Sequence, residues 1–202
     1  MNVLPRPARH MLFAVFAAFM VATRYHHFGD VLHLPDASMA LFFLGGLFLS
    51  ERALSERTRA DHLRFAMFMA LAVVIDVVSV GFAGVSDHCV TPSYAALLPA
   101  YAVLWYGGRL VAPRHAVEPK AMLLTIAAAL VSASLSFAIS NGAFYWFGGR
   151  YENPHVAEYL ARAWQWGPLF VRTTMLYIVV AMALHAVAAR TLGARVAQSA
   201  AR

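Results

Sequence analysis

The chain has 202 residues, of which 61% are hydrophobic and only 13% are charged, whereas a soluble domain is about half apolar and about a quarter charged. That composition excludes an ordinary soluble domain, because only lipid can cover so much apolar surface. The net charge of +6 does not indicate nucleic-acid binding, since the basic residues lie in short connections and form no stripe interleaved with aromatic residues. We therefore expect a single transmembrane domain over residues 1–202, in contact with the lipid bilayer and with no nucleic-acid partner.

Six apolar blocks follow one another along the chain. They cover residues 10–23, 37–50, 63–85, 93–108, 120–147 and 165–189. The third, fifth and sixth blocks are long enough to cross a hydrocarbon core of about 30 Å, and the other three are shorter. Gly45 and Gly46 in the second block, and Gly107 and Gly108 in the fourth, indicate short helices packed closely against neighbours. The sequence thus predicts an all-α membrane protein with a bundle of six transmembrane helices, and five spans are the main alternative.

The first block follows Arg6 and Arg9 and therefore also resembles a signal peptide. No convincing small-x-small cleavage site comes after it, so we expect this segment to be retained as a helix.

The basic residues predict the orientation of the chain. With both termini in the cytoplasm, the outer connections contain only Arg24, Arg150 and Arg162, while most other arginines and Lys120 are on the cytoplasmic side. This distribution follows the positive-inside rule. We expect a multi-pass protein of the bacterial cytoplasmic (inner) membrane.

The single cysteine, Cys89, lies in the connection SDHCVTPSY between the third and fourth blocks. One cysteine excludes an internal disulfide, a CxxC pair and a multi-thiolate zinc site. A thiolate is a soft ligand for a soft or borderline metal, and the neighbouring His88 favours the thiolate form. The plain alternative is a stray loop cysteine, although an exposed thiol is a liability in an oxidising compartment.

Asp76 lies in the middle of the apolar run LAVVIDVVSVGF. An ionisable residue there is costly unless it is paired, protonated or facing a cavity. We expect Asp76 to form the floor of a pocket below the Cys89 connection. The alternative is a protonated Asp76 that is hydrogen-bonded to Ser79 or to a neighbouring helix for structure alone.

The first block carries alanines at every fourth position, Ala14, Ala18 and Ala22. Such a face of small residues lets another helix approach closely. Packing within the chain is the simpler explanation of this face, and contact with a partner subunit is the other.

Six short spans, an alanine-spaced first helix and a lone cysteine in the outer connection between spans three and four resemble the BtuM-type cobalamin transporters. These are related to the substrate-binding S-components of energy-coupling factor (ECF) transporters. In layout the resemblance covers nearly the whole chain, and its specific part is Asp76, the segment HCVTPSY (88–94) and Arg162. It implies uptake of cobalamin, a corrinoid vitamin, across the bacterial inner membrane from the extracytoplasmic side.

The resemblance also implies roles for individual residues. Cys89 corresponds to the axial ligand of the corrin cobalt, and Asp76, Tyr94 and Arg162 correspond to residues that bind the corrinoid. His27, in the first outer connection, is a further candidate without a motif match. An enzymatic contribution stays open as well, in which Cys89 assists removal of the upper ligand of cobalamin by decyanation or dealkylation.

The alanine face also has a counterpart in this comparison. S-components generally use such a face on their first helix to meet the ECF coupling subunit, and Ala14, Ala18 and Ala22 fit that pattern. Some BtuM-type proteins have no dedicated coupling module, so the face alone does not establish a partner.

Two functions of other classes stay open. A membrane thiol enzyme would use Cys89 as a nucleophile, but no oxyanion motif accompanies it. A small metal-ion permease would gather several His and carboxylate ligands within the membrane, whereas only Asp76 is deep in a span. The chain lacks a P-loop and so does not itself couple transport to ATP hydrolysis by that route.

Overall fold

A computed structural model of the chain describes residues 6–25, 34–50, 57–87, 90–115 and 117–200. Within these ranges there are six α-helices and no β-strand, which confirms the all-α class and the predicted number of helices. The helices are α1 (Arg6–Arg24), α2 (Ser38–Phe48), α3 (Arg57–Phe82), α4 (Leu97–Val111), α5 (Pro119–Phe147) and α6 (Val156–Ala200). Short 3₁₀ segments at Pro92–Ala96 and Ala112–Arg114 precede and follow α4.

Four helical segments are long and apolar enough to cross a membrane. They are Arg59–Phe82, Pro92–Arg114, Pro119–Phe147 and Val156–Thr191. The other two helices are the ones formed by the first two apolar blocks. With 11 residues, α2 is about 16 Å long, which is roughly half of a hydrocarbon core. By the length and composition of its helices, the chain is a membrane protein.

The start of α6 differs from the sequence-based expectation. The fifth and sixth apolar blocks, residues 120–147 and 165–189, left a connection between them, but α6 already begins at Val156 within that connection. The N-terminal part of this helix consists largely of good helix formers, with Glu158 in the first turn, where a negative charge is favourable. Hydropathy missed this part because it is helical without being strongly apolar.

The short helix α2 is the centre of the fold. Nearly all of its residues are buried, and it contacts each of the five other helices. A helix that is apolar on every side has to be enclosed by protein or lipid, and here it is enclosed by protein. The expectation of a short second helix packed among neighbours is therefore confirmed.

Glycines allow α2 and α4 to lie against each other. A side-chain carbon added at Gly46 would overlap the backbone oxygen of Trp105, and one added at Gly108 would overlap the backbone oxygen of Phe43. Small residues permit such close backbone approach between membrane helices. The glycines of the second and fourth blocks thus hold the centre of the molecule together.

We expect Gly46→Ala to destabilise the protein by about 1–3 kcal/mol, because the added methyl group meets backbone atoms that cannot rotate away. The control is Gly81→Ala, since Gly81 is also helical but has open space where the new carbon would lie. That control should be neutral or slightly stabilising. The measurement is the unfolding free energy of both variants in the same mixed micelles. Equal effects at the two positions would contradict this account of the α2–α4 contact.

The alanine face of α1 is largely uncovered. Ala14 and Ala18 are exposed, and Ala22 is half-buried. Packing within the chain therefore does not explain Ala14 and Ala18. The neighbouring apolar residues Met11 and Val15 are exposed as well, so this side of α1 is open to lipid or to another helix.

Candidate functional site

The ends of several helices meet around one arginine. Arg24 is the last residue of α1, and its guanidinium reaches α2 at Ser38, α3 at Asp76 and α4 at Tyr101. Its side chain is only 10% exposed. We call this part of the molecule the Arg24 end.

Asp76 forms a two-point ion pair with Arg24. The Arg24 Nε donates to Oδ1 of Asp76 and Nη2 donates to Oδ2, both at 2.7 Å. The Tyr94 hydroxyl also donates to Oδ2, at 2.6 Å. Paired, charge-assisted hydrogen bonds of this geometry are strong and directional. They meet the requirement that an ionisable residue within a span be compensated.

The structural alternative for Asp76 named Ser79 or a neighbouring helix as its partner. Ser79 does not take this role, whereas the neighbouring helix α1 does, through Arg24. Asp76 accepts from Arg24 and Tyr94, while the buried Ser79 hydroxyl has no hydrogen-bond partner within the part of the chain that the structure describes. Asp76 lies six residues before the end of α3 at Phe82, which is about 9 Å along the helix. It is therefore nearer the Arg24 end than mid-membrane depth.

The remaining nitrogen of Arg24 joins a second polar group. Its Nη1 donates to the Tyr101 hydroxyl at 2.8 Å, to Ser38 Oγ at 3.0 Å and to Asp36 Oδ2 at 3.2 Å. Asp36 also accepts from the backbone nitrogen and hydroxyl of Ser38 at the start of α2, where a carboxylate is favourable. The Tyr101 ring stacks on Phe42 at a centroid distance of 4.3 Å. The hydrogen bond to Tyr101 thereby connects Arg24 to the buried core.

Two of the sequence-predicted site residues, Cys89 and His27, lie outside the described residues. The chain on both sides of the Cys89 position is described. Val90 donates its backbone N–H to the carbonyl oxygen of Asp87 at 2.8 Å, and Val90 is 52% exposed. Tyr94 follows in the segment Pro92–Ala96, in which no residue is buried. Asp76 is therefore in contact with the same short connection that carries Cys89.

Arg162 belongs to a different group of residues. Its guanidinium carbon is 4.8 Å from the centroid of the Tyr151 ring, a cation–π distance. Tyr151 in turn contacts Tyr145, at 4.6 Å between centroids. The Tyr145 hydroxyl accepts from the backbone nitrogen of His155 and donates to Glu158 Oε2, both at 2.9 Å.

Within the described ranges, no hydrogen bond or ion pair joins Arg162 to Asp76 or Tyr94, so the structure brings together two of the three described site residues. The two groups share one end of the molecule. Pro92–Ala96 precedes α4, and α5 follows α4 after a short connection and packs against it, so the last residues of α5, including Tyr145, return to the end where Pro92–Ala96 lies. Trp164, also near the start of α6, is 83% exposed, as expected for an interfacial aromatic residue.

Sequence reasoning missed Arg24, Asp36, Ser38 and Tyr101 as members of the site. The sequence analysis used Arg24 only to predict the orientation of the chain. An arginine at the end of one apolar block is nevertheless a suitable ion-pair partner for a carboxylate within another block. The Asp36-x-Ser38 pattern before an apolar run is a helix-start signal. Tyr101 offered no such signal, because its position depends on the packing of α4 against α2.

Among the described residues, no group of three or more His, Cys, Asp or Glu side chains is placed to hold a metal ion. Comparison with known protein families and with curated proteins finds no match to this chain. The function therefore has to be inferred from the residues and their arrangement.

Proposed function

We propose that this protein takes up cobalamin across the bacterial inner membrane. It binds the vitamin at the Arg24 end, on the extracytoplasmic side, with the Cys89 thiolate as axial ligand of the corrin cobalt. The observation that carries the proposal is the 2.6 Å hydrogen bond between Tyr94 and Asp76, which are 18 positions apart. Both are residues that the resemblance to BtuM-type transporters assigns to the corrinoid.

The chemistry of the Arg24 end suits a corrinoid. Such a ligand is large, flat and rimmed with amides, so its site needs apolar or aromatic walls and a few well-placed polar groups. Tyr94 and Asp76 supply a hydroxyl and a carboxylate beside the Cys89 connection, and the Asp76 side chain remains 23% exposed. A corrin ring already fills the equatorial positions of its cobalt, so one protein thiolate is enough and a cluster of metal ligands is not needed.

Tyr94 is the partner of Asp76 that a ligand can replace most easily. It contributes one hydrogen bond to Asp76 from a segment without buried residues. Arg24 contributes two to Asp76 and three more to other residues. An amide of the corrin rim would accordingly take the place of the Tyr94 hydroxyl on Asp76. Tyr94 would then be free to bond to the ligand, while Arg24 keeps Asp76 in position.

The first helix provides the surface for a partner in this proposal. Ala14 and Ala18 are exposed and Ala22 is half-buried, so a helix of an ECF coupling subunit could approach α1 closely there. Arg24 lies on the same helix and bonds directly to Asp76. Ligand binding at Asp76 would thus change the contacts of Arg24, which belongs to the helix that faces the partner.

The absorption spectrum of the purified, full-length protein tests the proposal. Protein from cells supplied with cobalamin should be red, carry about one corrinoid per chain, and differ in spectrum from free cobalamin. Protein from unsupplied cells should be colourless and should acquire the same spectrum when cobalamin is added. Failure to bind added cobalamin would reject the proposal and favour the thiol-enzyme or metal-permease alternative. With cyanocobalamin as the supplement, the same spectrum also reports loss of the cyanide upper ligand.

A further inference from the structure

A groove of about 480 Å³ runs between α4 and α5. Its lining includes the small residues Gly107, Ala127 and Ala128 and the larger apolar residues Leu110 and Val131. Both helices lie within segments that are long and apolar enough to cross a membrane. The groove is therefore apolar, open and bordered by helices that face lipid.

One basic residue, Arg114, lines this groove. It ends the 3₁₀ segment that follows α4, so it lies where the groove leaves the membrane-spanning part of the chain. Its side chain is exposed. The position is typical of an arginine that meets the headgroup of a lipid whose chain lies deeper.

Arg64 and Arg109 each form an ion pair, whereas Arg114 forms none with the residues that the structure describes. Arg64 and Arg109 both pair with the buried Asp61, at 3.2 and 3.5 Å. No carboxylate in the described part of the chain forms an ion pair with Arg114, and this includes Glu118, four positions further on. An unpaired guanidinium at the end of an apolar groove is complementary to an anionic headgroup attached to an acyl chain.

A second groove provides an internal comparison. It lies between α5 and α6, has a volume of about 340 Å³, and is lined by residues such as Ala138, Ala163 and Pro168. None of its lining residues is basic. It offers an acyl chain the same kind of apolar surface without a cation for the headgroup.

We propose that the α4–α5 groove binds a phospholipid with an anionic headgroup, with an acyl chain along Ala127 and Ala128 and the phosphate against Arg114. A second cation, Lys120, is exposed at the start of α5, six positions after Arg114 in the sequence. The site depends neither on cobalamin binding nor on which side of the membrane Arg114 faces. Its ligand chemistry is that of phosphatidylglycerol or cardiolipin.

Native mass spectrometry of the full-length protein in a non-ionic detergent tests this site, with phosphatidylglycerol and phosphatidylcholine of identical chains as probes. The wild type should retain phosphatidylglycerol more strongly than phosphatidylcholine. Arg114→Gln should lower retention of phosphatidylglycerol about fivefold, the effect of losing one cationic contact with an anionic lipid. Arg114→Lys should retain most of the preference. The control Arg150→Gln removes an exposed arginine that lies outside the membrane-crossing segments and should change nothing.

A second pair of variants tests the groove itself. Ala127→Phe fills the α4–α5 groove and should reduce retention of phosphatidylglycerol, whereas Ala138→Phe fills the α5–α6 groove and should leave it unchanged. Both alanines are exposed, so neither change disturbs the core. An unaltered preference in Arg114→Gln, or equal effects of the two phenylalanines, would overturn the proposal. A dimer that Ala127→Phe dissociates would overturn it too, and would make the groove a contact between copies of the chain.

Discussion

Replacing Cys89 by serine is expected to abolish the altered spectrum of bound cobalamin and to weaken binding by more than about 100-fold. Loss of a residue that only supports a metal ligand costs about 10- to 100-fold in metal affinity, so loss of the ligand itself should cost at least as much. Serine keeps the shape of the side chain but replaces a soft sulfur by a hydroxyl that hardly ionises. The measurement is a titration of purified, ligand-free protein with cobalamin, followed by absorbance.

The pH dependence of binding separates coordination from simple contact. Cobalt binds the deprotonated sulfur, so the affinity of the wild type should fall as the pH is lowered and the thiolate fraction decreases. Cys89→Ser should lack this component. The control Val90→Ala changes the exposed neighbour of Cys89 and should keep the wild-type spectrum. If Cys89→Ser binds with the wild-type affinity and spectrum, Cys89 is not the cobalt ligand.

Replacing Arg24 by alanine is expected to destabilise the ligand-free protein by about 3–5 kcal/mol. Breaking a largely buried ion pair by removing one partner leaves the other charge without compensation. Here the charge left behind is Asp76, with Tyr94 as its one remaining hydrogen-bond donor among the described contacts. The measurement is the unfolding free energy in mixed micelles without cobalamin.

A double variant shows whether the uncompensated charge causes this loss. Arg24→Ala combined with Asp76→Asn should be more stable than Arg24→Ala alone, because no unpaired carboxylate remains. The control Arg150→Ala removes an exposed arginine outside the membrane-crossing segments and should cost less than about 0.5 kcal/mol. An Arg24→Ala protein as stable as Arg150→Ala would show that the network around Arg24 does not stabilise the fold.

The Arg24 ion pair also changes what is expected of Asp76. From the sequence, Asp76 was expected to face a cavity, in which case Asp76→Asn would affect binding far more than folding. Because Asp76 is paired with Arg24, the same substitution should lower the stability of the ligand-free protein as well. A loss of cobalamin affinity in Asp76→Asn therefore has to be compared with the loss of unfolding free energy in the same variant.

The sequence by itself determined the class of the protein and the approximate positions of its helices. Composition alone required lipid contact, since 61% of the residues are hydrophobic. The apolar blocks placed all six helices, with boundary errors where good helix formers are not strongly apolar, as at the start of α6. The glycines of the second and fourth blocks indicated close packing, because only residues without a side chain allow it.

The tertiary structure decided which residues meet. The sequence showed that Asp76 needs compensation, but the partner, Arg24, is 52 positions away. It could not be chosen from the other cations by spacing alone. Likewise, hydropathy treats α1 and α2 as similar marginal spans, yet α2 is enclosed by five helices while Ala14 and Ala18 of α1 are exposed. Whether a side chain requires an ion-pair partner or burial follows from its own chemistry, which the sequence gives. Which residue pairs with it or buries it depends on how helices distant in the sequence pack together.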